Sequence, residues 1–191
     1  MQKQRCRWAE ASDLYRQYHD EEWGRAQRDE NKLFEKICLE GQQAGLSWII
    51  VLQKRADYRR AFHDFEPVKI AAMTDKDIDA LMATGKLINH RKKLQSIIAN
   101  ARALLAMHAK GESLSRLLWD LVGNKTHVNN VPELGAVPSQ TPTSQVMAKI
   151  LKQRGFSFIG PVSCYAFMQA MGMVDDHHNS CFCKGHNELG R

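Results

Sequence analysis

The sequence contains no apolar run long enough to span a membrane, and its beginning does not resemble a signal peptide. We therefore expect a cytoplasmic protein that does not bind membranes. At 191 residues, 43% of them hydrophobic, the chain is long enough for one domain, or two small ones, with a real core. The odd number of cysteines argues against a disulfide framework and favours metal binding or simple burial: Cys6, Cys38, Cys164, Cys181 and Cys183.

Alternating patterns typical of strands are almost absent, and we find no internal repeat or low-complexity tract. Helix signals recur instead. Thr74 with Asp77 predicts a capping box, and Thr141 followed by Pro142 predicts another helix start. Residues 123–145 are rich in Asn, Pro, Thr, Ser and Gly and predict a long connection with little structure of its own. The chain is therefore predicted to be all-α, with seven to ten helices of ordinary length.

One short stretch combines a carboxylate, two amides, two glycines and a tryptophan: Leu39-Glu40-Gly41-Gln42-Gln43-Ala44-Gly45-Leu46-Ser47-Trp48. A helix that begins near Asp29 would carry an apolar stripe containing Leu33 and Ile37, with Glu40 at its border. A carboxylate at such a border is partly desolvated and needs either a partner or a function. A salt-bridged boundary residue is the alternative interpretation of Glu40.

A glycine-rich turn at residues 155–161 separates two predicted helices, the second running from about Pro161 to Met171. Gly160 before Pro161 suits a tight turn into a helix start, where free N–H groups and the helix dipole form an anion site. Such hairpins hold a DNA phosphate without reading sequence, and the net charge of +6 mildly favours a polyanionic partner. An ordinary helix pair is the alternative, and the basic cluster at residues 90–93 fits either a phosphate contact or a solvated helix face.

Two Cys/His pairs lie near opposite ends of the chain and predict a metal site: Cys6 with His19, and His177 with Cys181. The second pair is spaced i, i+4, so both side chains can share one face of a helix or tight turn. Two thiolates and two imidazoles make a closed tetrahedral zinc site, which is structural and would join the two termini. His178 and Cys183 are rival ligands, and free thiols with surface histidines are the alternative without metal.

Five aromatic residues lie in the first quarter of the chain: Trp8, Tyr15, Tyr18, Trp23 and Trp48. Most aromatic residues belong to the core, and this is the simpler interpretation of each one. An extrahelical base, however, needs flat surfaces for stacking and a few polar groups at its edge. Trp48 beside Glu40, with Trp8 and Tyr18 brought near by the metal, would supply both.

In combination these segments resemble the bacterial DNA-3-methyladenine glycosylase I family. The matching motifs run from residue 5 to residue 181: Arg5-Cys6-x-Trp8, Tyr18-His19-Asp20-x-Glu22-Trp23-Gly24, the stretch from Leu39 to Trp48, Gly155-Phe156-x-Phe158-Ile159-Gly160, Cys164-Tyr165-x-Phe167-Met168-Gln169-Ala170, and Asp176-His177 with Cys181. Residues 122–143 carry no matching motif. Asn89 stands where we expect a basic residue in this family, which alters a DNA contact but not the chemistry.

The resemblance implies an all-α fold of the helix-hairpin-helix glycosylase superfamily, with one catalytic domain over residues 1–191 and the hairpin at about 143–172. It implies a monomeric enzyme that excises 3-methyladenine from alkylated double-stranded DNA and contains a structural Zn²⁺. Transferred residue by residue, the resemblance assigns Cys6, His19, His177 and Cys181 to the zinc, Glu40 to catalysis, Tyr18, Trp8 and Trp48 to the base pocket, and Leu46 and Gly160 to DNA contacts. The glutamines next to Leu46 would lie close to the gap left by the flipped nucleotide.

The residues leave several alternatives open. Asp175 and Asp176 are rival catalytic carboxylates, and Asp176 could equally support the neighbouring His177. The start of the second hairpin helix, Pro161-Val162-Ser163, has no lysine that could form a Schiff base, so we expect a monofunctional enzyme that leaves an abasic site. Three other classes compete: a zinc-containing DNA-binding module without activity, a glycosylase for another lesion, and a zinc-dependent enzyme.

Overall fold

The computed structural model describes residues 3–132 and 137–186, and these residues are mostly helical, as predicted. They form nine α-helices, a number within the predicted range: α1 Asp13–Glu21, α2 Glu30–Gln43, α3 Trp48–Ala61, α4 Pro67–Ala71, α5 Asp75–Ala83, α6 Arg91–Ala109, α7 Leu114–Asp120, α8 Pro142–Gln153 and α9 Pro161–Ala170. Two short 3-10 helices add Arg7–Ala11 and His63–Phe65. Within the described ranges, no helix has the length and apolar character needed to cross a membrane.

Side chains at the predicted helix starts accept hydrogen bonds from free backbone N–H groups. The carboxylate of Asp29 accepts from the N–H of Lys32 at 2.9 Å and so begins α2. The N–H of Thr74 donates to Asp77 at 2.7 Å in the capping box that begins α5. Thr141 precedes α8, whose first residue is a proline. These local signals in the sequence therefore predict where the helices begin.

Helix α2 lies at the centre of the fold and contacts α3, α6, α7 and α9. Its apolar stripe, which includes Leu33, Phe34 and Ile37, is buried in one continuous core. Burying each such side chain contributes about 1.5–3 kcal/mol. Because α2 is held on all these sides, polar side chains on it can be placed rigidly, and Glu40 is one of them.

The expectation that residues 123–145 have little structure is wrong for one short segment. His127–Val128 forms a strand, β1, that pairs in parallel with a second strand, β2, at Val174–Asp175. Two-residue strands are too short to show an alternating pattern, and their pairing joins segments far apart in the chain, so sequence periodicity does not reveal them. The pair fixes the segment just before His177. Residues 133–136 of the same connection lie outside the described residues.

Candidate active site and metal centre

Helices α1, α2, α3 and α9 surround a cavity of about 210 Å³. This volume is below the roughly 300–1,000 Å³ of sites for drug-sized ligands, so the cavity suits one small ring system. The structure brings all four residues of the predicted base pocket to this cavity: Trp8, Tyr18, Glu40 and Trp48.

Glu40 lies on the cavity wall with only 4% of its surface exposed, and it has a charged partner. The ammonium of Lys36, one helical turn earlier on α2, donates to Glu40 Oε1 at 2.8 Å. The same ammonium donates to the hydroxyl of Tyr18 at 3.0 Å and lies 3.3 Å from the centre of the Trp48 ring. Glu40 is therefore a salt-bridged residue, as the simpler interpretation held, and it also faces the cavity.

The charges of this cluster follow from its contacts. Burial lowers the pKa of Lys36, but the carboxylate of Glu40 and the hydroxyl of Tyr18 outweigh burial and raise it, so the lysine stays protonated. Burial raises the pKa of Tyr18 despite the opposing effect of the ammonium, so its hydroxyl stays neutral. The cavity wall thus holds one cation beside a carboxylate.

The predicted aromatic cluster forms the remaining walls. The ring of Trp8 lies 5.4 Å from that of Tyr15, 6.4 Å from that of Tyr18 and 5.2 Å from that of Trp23. The rings of Tyr18 and Trp48 are 5.8 Å apart. The buried Nε1 of Trp48 has no hydrogen-bond partner among the residues that the structure describes. A buried donor without a partner is costly, so the fold leaves this polar group unsatisfied.

Sequence reasoning missed part of the wall. Lys36 of α2 lines the cavity together with Ala166, Gln169 and Ala170 of α9. The i, i+4 spacing of Lys36 and Glu40 was a signal for their ion pair, whereas only the fold shows that α9 packs against α2 at this point.

The two glutamines next to Leu46 have different environments. Gln43 lines the cavity. Gln42 is fully buried, accepts from the hydroxyl of Tyr58 at 3.2 Å and donates to the carbonyl of Lys93 at 2.9 Å. The amide of Gln42 is therefore used inside the core, and the expectation that both glutamines lie near the flipped nucleotide stays a prediction.

Apolar side chains are exposed in the hairpin formed by α8 and α9 and in the connection between α2 and α3. Phe158, in the connecting turn, is 36% exposed with a φ of +54°, and Leu46, between α2 and α3, is 37% exposed. Gly160 is the residue immediately before α9. The turn packs closely on α2, because a Cβ on Gly41 would lie 3.1 Å from the carbonyl oxygen of Phe158. The imidazole of His90, which follows the exposed Asn89, lies 6.0 Å from the Phe158 ring.

The four predicted metal ligands form one buried cluster: Cys6, His19, His177 and Cys181. Zn–S and Zn–N bonds of about 2.3 and 2.0–2.1 Å place tetrahedral S and N ligands about 3.6 Å apart. The Sγ of Cys181 lies 3.4 Å from His19 Nε2 and 3.6 Å from His177 Nδ1, and the Sγ of Cys6 is 3.6 Å from the same Nδ1. The donor set and its spacing therefore fit Zn²⁺.

The rival ligands are placed differently. The imidazole of His178 contacts the hydroxyl of Ser180 at 2.7 Å. The buried Cys183 belongs to a second group, with His19 and Asp20, that shares His19 with the cluster. Hydrogen bonds from the thiols of Cys183 and Cys6 lower the pKa of Cys181.

Polar groups around the cluster orient both imidazoles. Nδ1 of His19 contacts Asp20 at 2.9 Å, and Arg5 binds the same carboxylate through two nitrogens at 2.8–3.0 Å. Nε2 of His177 lies 3.2 Å from the carbonyl oxygen of Trp23. A Cβ on Gly24, the next residue, would lie 2.6 Å from that nitrogen, so only glycine fits there.

Neither rival carboxylate lines the cavity, although Asp176 is bonded to Gln169, which does. Asp176 accepts from Tyr165 at 2.7 Å, from Gln169 at 2.9 Å and from Asn129 at 2.7 Å. Asp175 is fully buried and accepts from the backbone N–H groups of His177 and Gly185. Asp176 therefore does not support the ring of His177, and Asp20 is the carboxylate that supports a ligand of the cluster.

Comparisons with known proteins agree with this geometry. The family model for methyladenine glycosylase matches residues 8–184. The chain is 57% identical to the DNA-3-methyladenine glycosylase of Haemophilus influenzae, over 94% of this chain and 97% of the relative, and 49% identical to DNA-3-methyladenine glycosylase 1 of Escherichia coli, over 94% and 96%. A solved structure that describes 3-methyladenine recognition by the Staphylococcus aureus 3-methyladenine DNA glycosylase I superposes with a TM-score of 0.90 at 39% identity, covering 94% of this chain and 96% of that one. The chain therefore belongs to the methyladenine glycosylase family.

Proposed function

We propose that this protein is a DNA glycosylase that takes 3-methyladenine out of the double helix and hydrolyses its bond to the sugar, leaving an abasic site. The observation that carries the proposal is a small aromatic cavity holding a buried carboxylate and a buried indole N–H without a partner. The relatives at 57% and 49% identity are DNA-3-methyladenine glycosylases, which supports the same activity here.

The cavity offers contacts that suit an alkylated adenine. Methylation at N3 makes adenine in DNA cationic, and a cation on the face of Trp48 gains about 0.5–2 kcal/mol. We assign Glu40 to hydrogen bonds from the edge of the base, such as its exocyclic amine. A methylated base also stacks and pairs poorly, so it flips at lower cost.

The bond that breaks is already weakened by the charge of the base. Its electron pair moves onto the base, which leaves as a neutral molecule, and water adds to the sugar carbon and loses a proton. The protein therefore has to flip the nucleotide, hold the cation and admit water, with less acid catalysis than removal of a normal base requires. We propose Glu40 as the catalytic carboxylate because it lines the cavity, whereas Asp175 and Asp176 do not and are bonded to other groups.

The exposed hairpin surface is our candidate for DNA binding. The free N–H groups at the start of α9, next to Gly160, suit a phosphate. Leu46 and Phe158 expose apolar side chains, and we propose that they act as wedges that fill the gap left by a flipped nucleotide. The net charge of +6 favours duplex DNA, on which we propose that the protein acts as a monomer in the cytoplasm.

We further propose that the cluster of Cys6, His19, His177 and Cys181 holds Zn²⁺ in a closed, structural site. Four protein ligands leave no coordination position for water or substrate, so the ion would stabilise the joined chain ends. Its role would be to hold α1, which carries Tyr18, against the C-terminal segment.

One feature of the fold bears on whether the enzyme is monofunctional: the amine of Lys36 lies on the cavity wall. A Schiff base requires an unprotonated amine, and the contacts with Glu40 and Tyr18 keep this one protonated. We therefore retain the proposal of hydrolysis without a lyase step. Borohydride treatment during turnover should trap no covalent adduct between protein and DNA.

The proposal is tested by measuring free bases released from methylated DNA, separated by chromatography. We expect the wild type to release 3-methyladenine and Glu40→Gln to release it about ten- to a hundredfold more slowly, the effect of losing a hydrogen bond to a charged group. Glu35→Gln is the matched control, because Glu35 lies on the same helix and pairs with Arg59 at 2.8 Å. It should retain the wild-type rate.

Two other outcomes would contradict parts of the proposal. Normal release by Glu40→Gln would remove Glu40 from catalysis and return attention to Asp175 and Asp176. Failure of folded, zinc-loaded wild type to release any methylated base would favour a zinc-containing DNA-binding module. Release of other modified bases in preference to 3-methyladenine would leave a glycosylase but change its lesion.

A further inference from the structure

The ammonium of Lys36 already makes the two contacts that the proposed function assigns to the cationic base. It lies 3.3 Å from the centre of the Trp48 ring, on the surface where a base would stack. It also forms the 2.8 Å ion pair with Glu40, the carboxylate that would meet the edge of the base. The empty pocket therefore contains a cation of its own.

A cationic base cannot stack on Trp48 unless the ammonium of Lys36 moves. Glu40 alone would give the pocket a charge of −1, which favours a cationic ligand over a neutral one of the same shape. With Lys36 the charge is zero, and a positively charged base on Trp48 would lie within a few ångströms of a like charge in a poorly solvated site. The ammonium has to leave the face of Trp48 before a base can stack there.

The fold provides a place for the displaced ammonium. Lys36 also lines a larger neighbouring cavity of about 620 Å³, separated from the base pocket by Tyr18 and Trp48. Two carboxylates that line this cavity, Glu22 and Glu35, pair with Arg55 and Arg59. Rotation of the lysine side chain away from Trp48 would therefore bring its charge into a polar cavity lined by ion pairs and not into apolar surroundings.

We propose that Lys36 is a specificity-determining residue. A cationic purine has to displace its ammonium, and this reduces the preference of the pocket for cationic over neutral purines. The inference rests on the proposed function, because it requires that a purine enters this pocket. A neutral methylated purine meets no like charge and can leave the pair of Lys36 with Glu40 formed. Relative to cationic purines, the wild-type pocket therefore binds neutral methylated purines better than the same pocket without the ammonium would.

The test compares two ligands of similar shape, 3-methyladenine, a neutral free base, and 3,9-dimethyladeninium, a permanent cation. Dissociation constants for both are measured by calorimetry at pH 8 for the wild type, Lys36→Met and Lys76→Met. Lys76 is the control, since it is an exposed lysine on α5 and lines neither of the two cavities. We expect Lys36→Met to increase the preference for the cation about tenfold, and Lys76→Met to leave it unchanged.

A second measurement uses the wild type and does not depend on whether the variant folds. In protein labelled at lysine Cε and Nζ, the signal of Lys36 should carry a large ring-current shift from Trp48, which is lost when either ligand saturates the pocket. An unchanged Lys36 signal at saturation, or an unchanged ligand preference in folded Lys36→Met, would overturn the inference. If the wild type binds neither ligand and releases no 3-methyladenine, the proposed function itself fails.

Discussion

Two tryptophans of this protein differ in what their indole N–H groups contact. Nε1 of the buried Trp119 donates to the carbonyl of Gln27 at 2.8 Å, and the guanidinium of Arg28 lies 4.1 Å from the ring centre. Nε1 of Trp48, whose side chain lines the cavity, is buried without a partner among the described residues. An unpaired buried donor costs about 1–3 kcal/mol, so the N–H of Trp48, unlike that of Trp119, contributes no stabilising hydrogen bond.

This difference predicts that a change to phenylalanine affects ligand binding at Trp48 and stability at Trp119. Trp48→Phe should weaken binding of 3-methyladenine about three- to thirtyfold while changing the free energy of unfolding little. Trp119→Phe should lower the free energy of unfolding by about 1–3 kcal/mol and leave the affinity unchanged, because it removes a satisfied donor from the core. Calorimetric titration and urea unfolding of both variants provide the measurements. Unchanged affinity in Trp48→Phe would mean that the base does not use this ring.

At the scale of helices, one carboxylate connects three elements. Glu30, the first residue of α2, accepts from the hydroxyl of Ser113 at 2.9 Å and from the N–H of Ser115 at 3.1 Å, at the start of α7. Its other oxygen lies 2.8 Å from the imidazole of His108, in the last turn of α6. Burial raises the pKa of Glu30, but these three partners outweigh burial and hold it below its ordinary value.

The lowered pKa sets the pH range in which Glu30 stabilises the fold. The stabilisation by Glu30 is complete above its pKa in the unfolded chain, about 4.5, and is lost as pH falls through its pKa in the folded protein. Glu30→Gln should therefore lower the free energy of unfolding by about 1–2 kcal/mol at pH 7, with a difference from wild type that shrinks below pH 4.5. Urea unfolding at several pH values measures it. Asp13→Asn, at an exposed ion pair with Arg16, is the control and should have little effect at any pH.

At the scale of the whole molecule, the Cys/His cluster joins the two ends of the chain. Cys6 and His177 are 171 positions apart and meet within 3.6 Å. Linking such distant segments restricts the unfolded chain far more than a local contact does. The same cluster positions α1 and hence Tyr18 in the base pocket, so an ion there would stabilise the fold and preserve the pocket without taking part in the reaction.

Cys181→Ser and Cys183→Ser test this role as a matched pair, because both cysteines are equally buried and only the first belongs to the four-residue cluster. Cys181→Ser should lose its zinc and melt about 5–15 °C lower, whereas Cys183→Ser should keep the ion and melt within about 3 °C of wild type. Elemental analysis and calorimetry measure both effects. Zinc loss in Cys183→Ser alone would make Cys183 a ligand. Abolished base release without a lower melting temperature would indicate a catalytic ion.

The sequence determined the elements of this protein because their signals are local. Caps such as Asp29, Thr74 and Thr141 begin helices where predicted, since each side chain bonds the backbone two or three residues away. The motifs also named the side chains that meet at the cavity and the metal cluster, among them Glu40 and Cys6, because their residue types already limit the chemistry. The catalytic and base-binding roles remain predictions for the experiments above.

The tertiary structure decided which groups become neighbours across the chain. Periodicity places Lys36 and Glu40 on one side of α2, but only packing puts the ammonium on the ring of Trp48 from another helix. Packing also turned Gln42 into the core and paired two strands too short to be predicted. The physical reason is that these contacts join residues far apart in sequence, and their geometry depends on how whole helices pack.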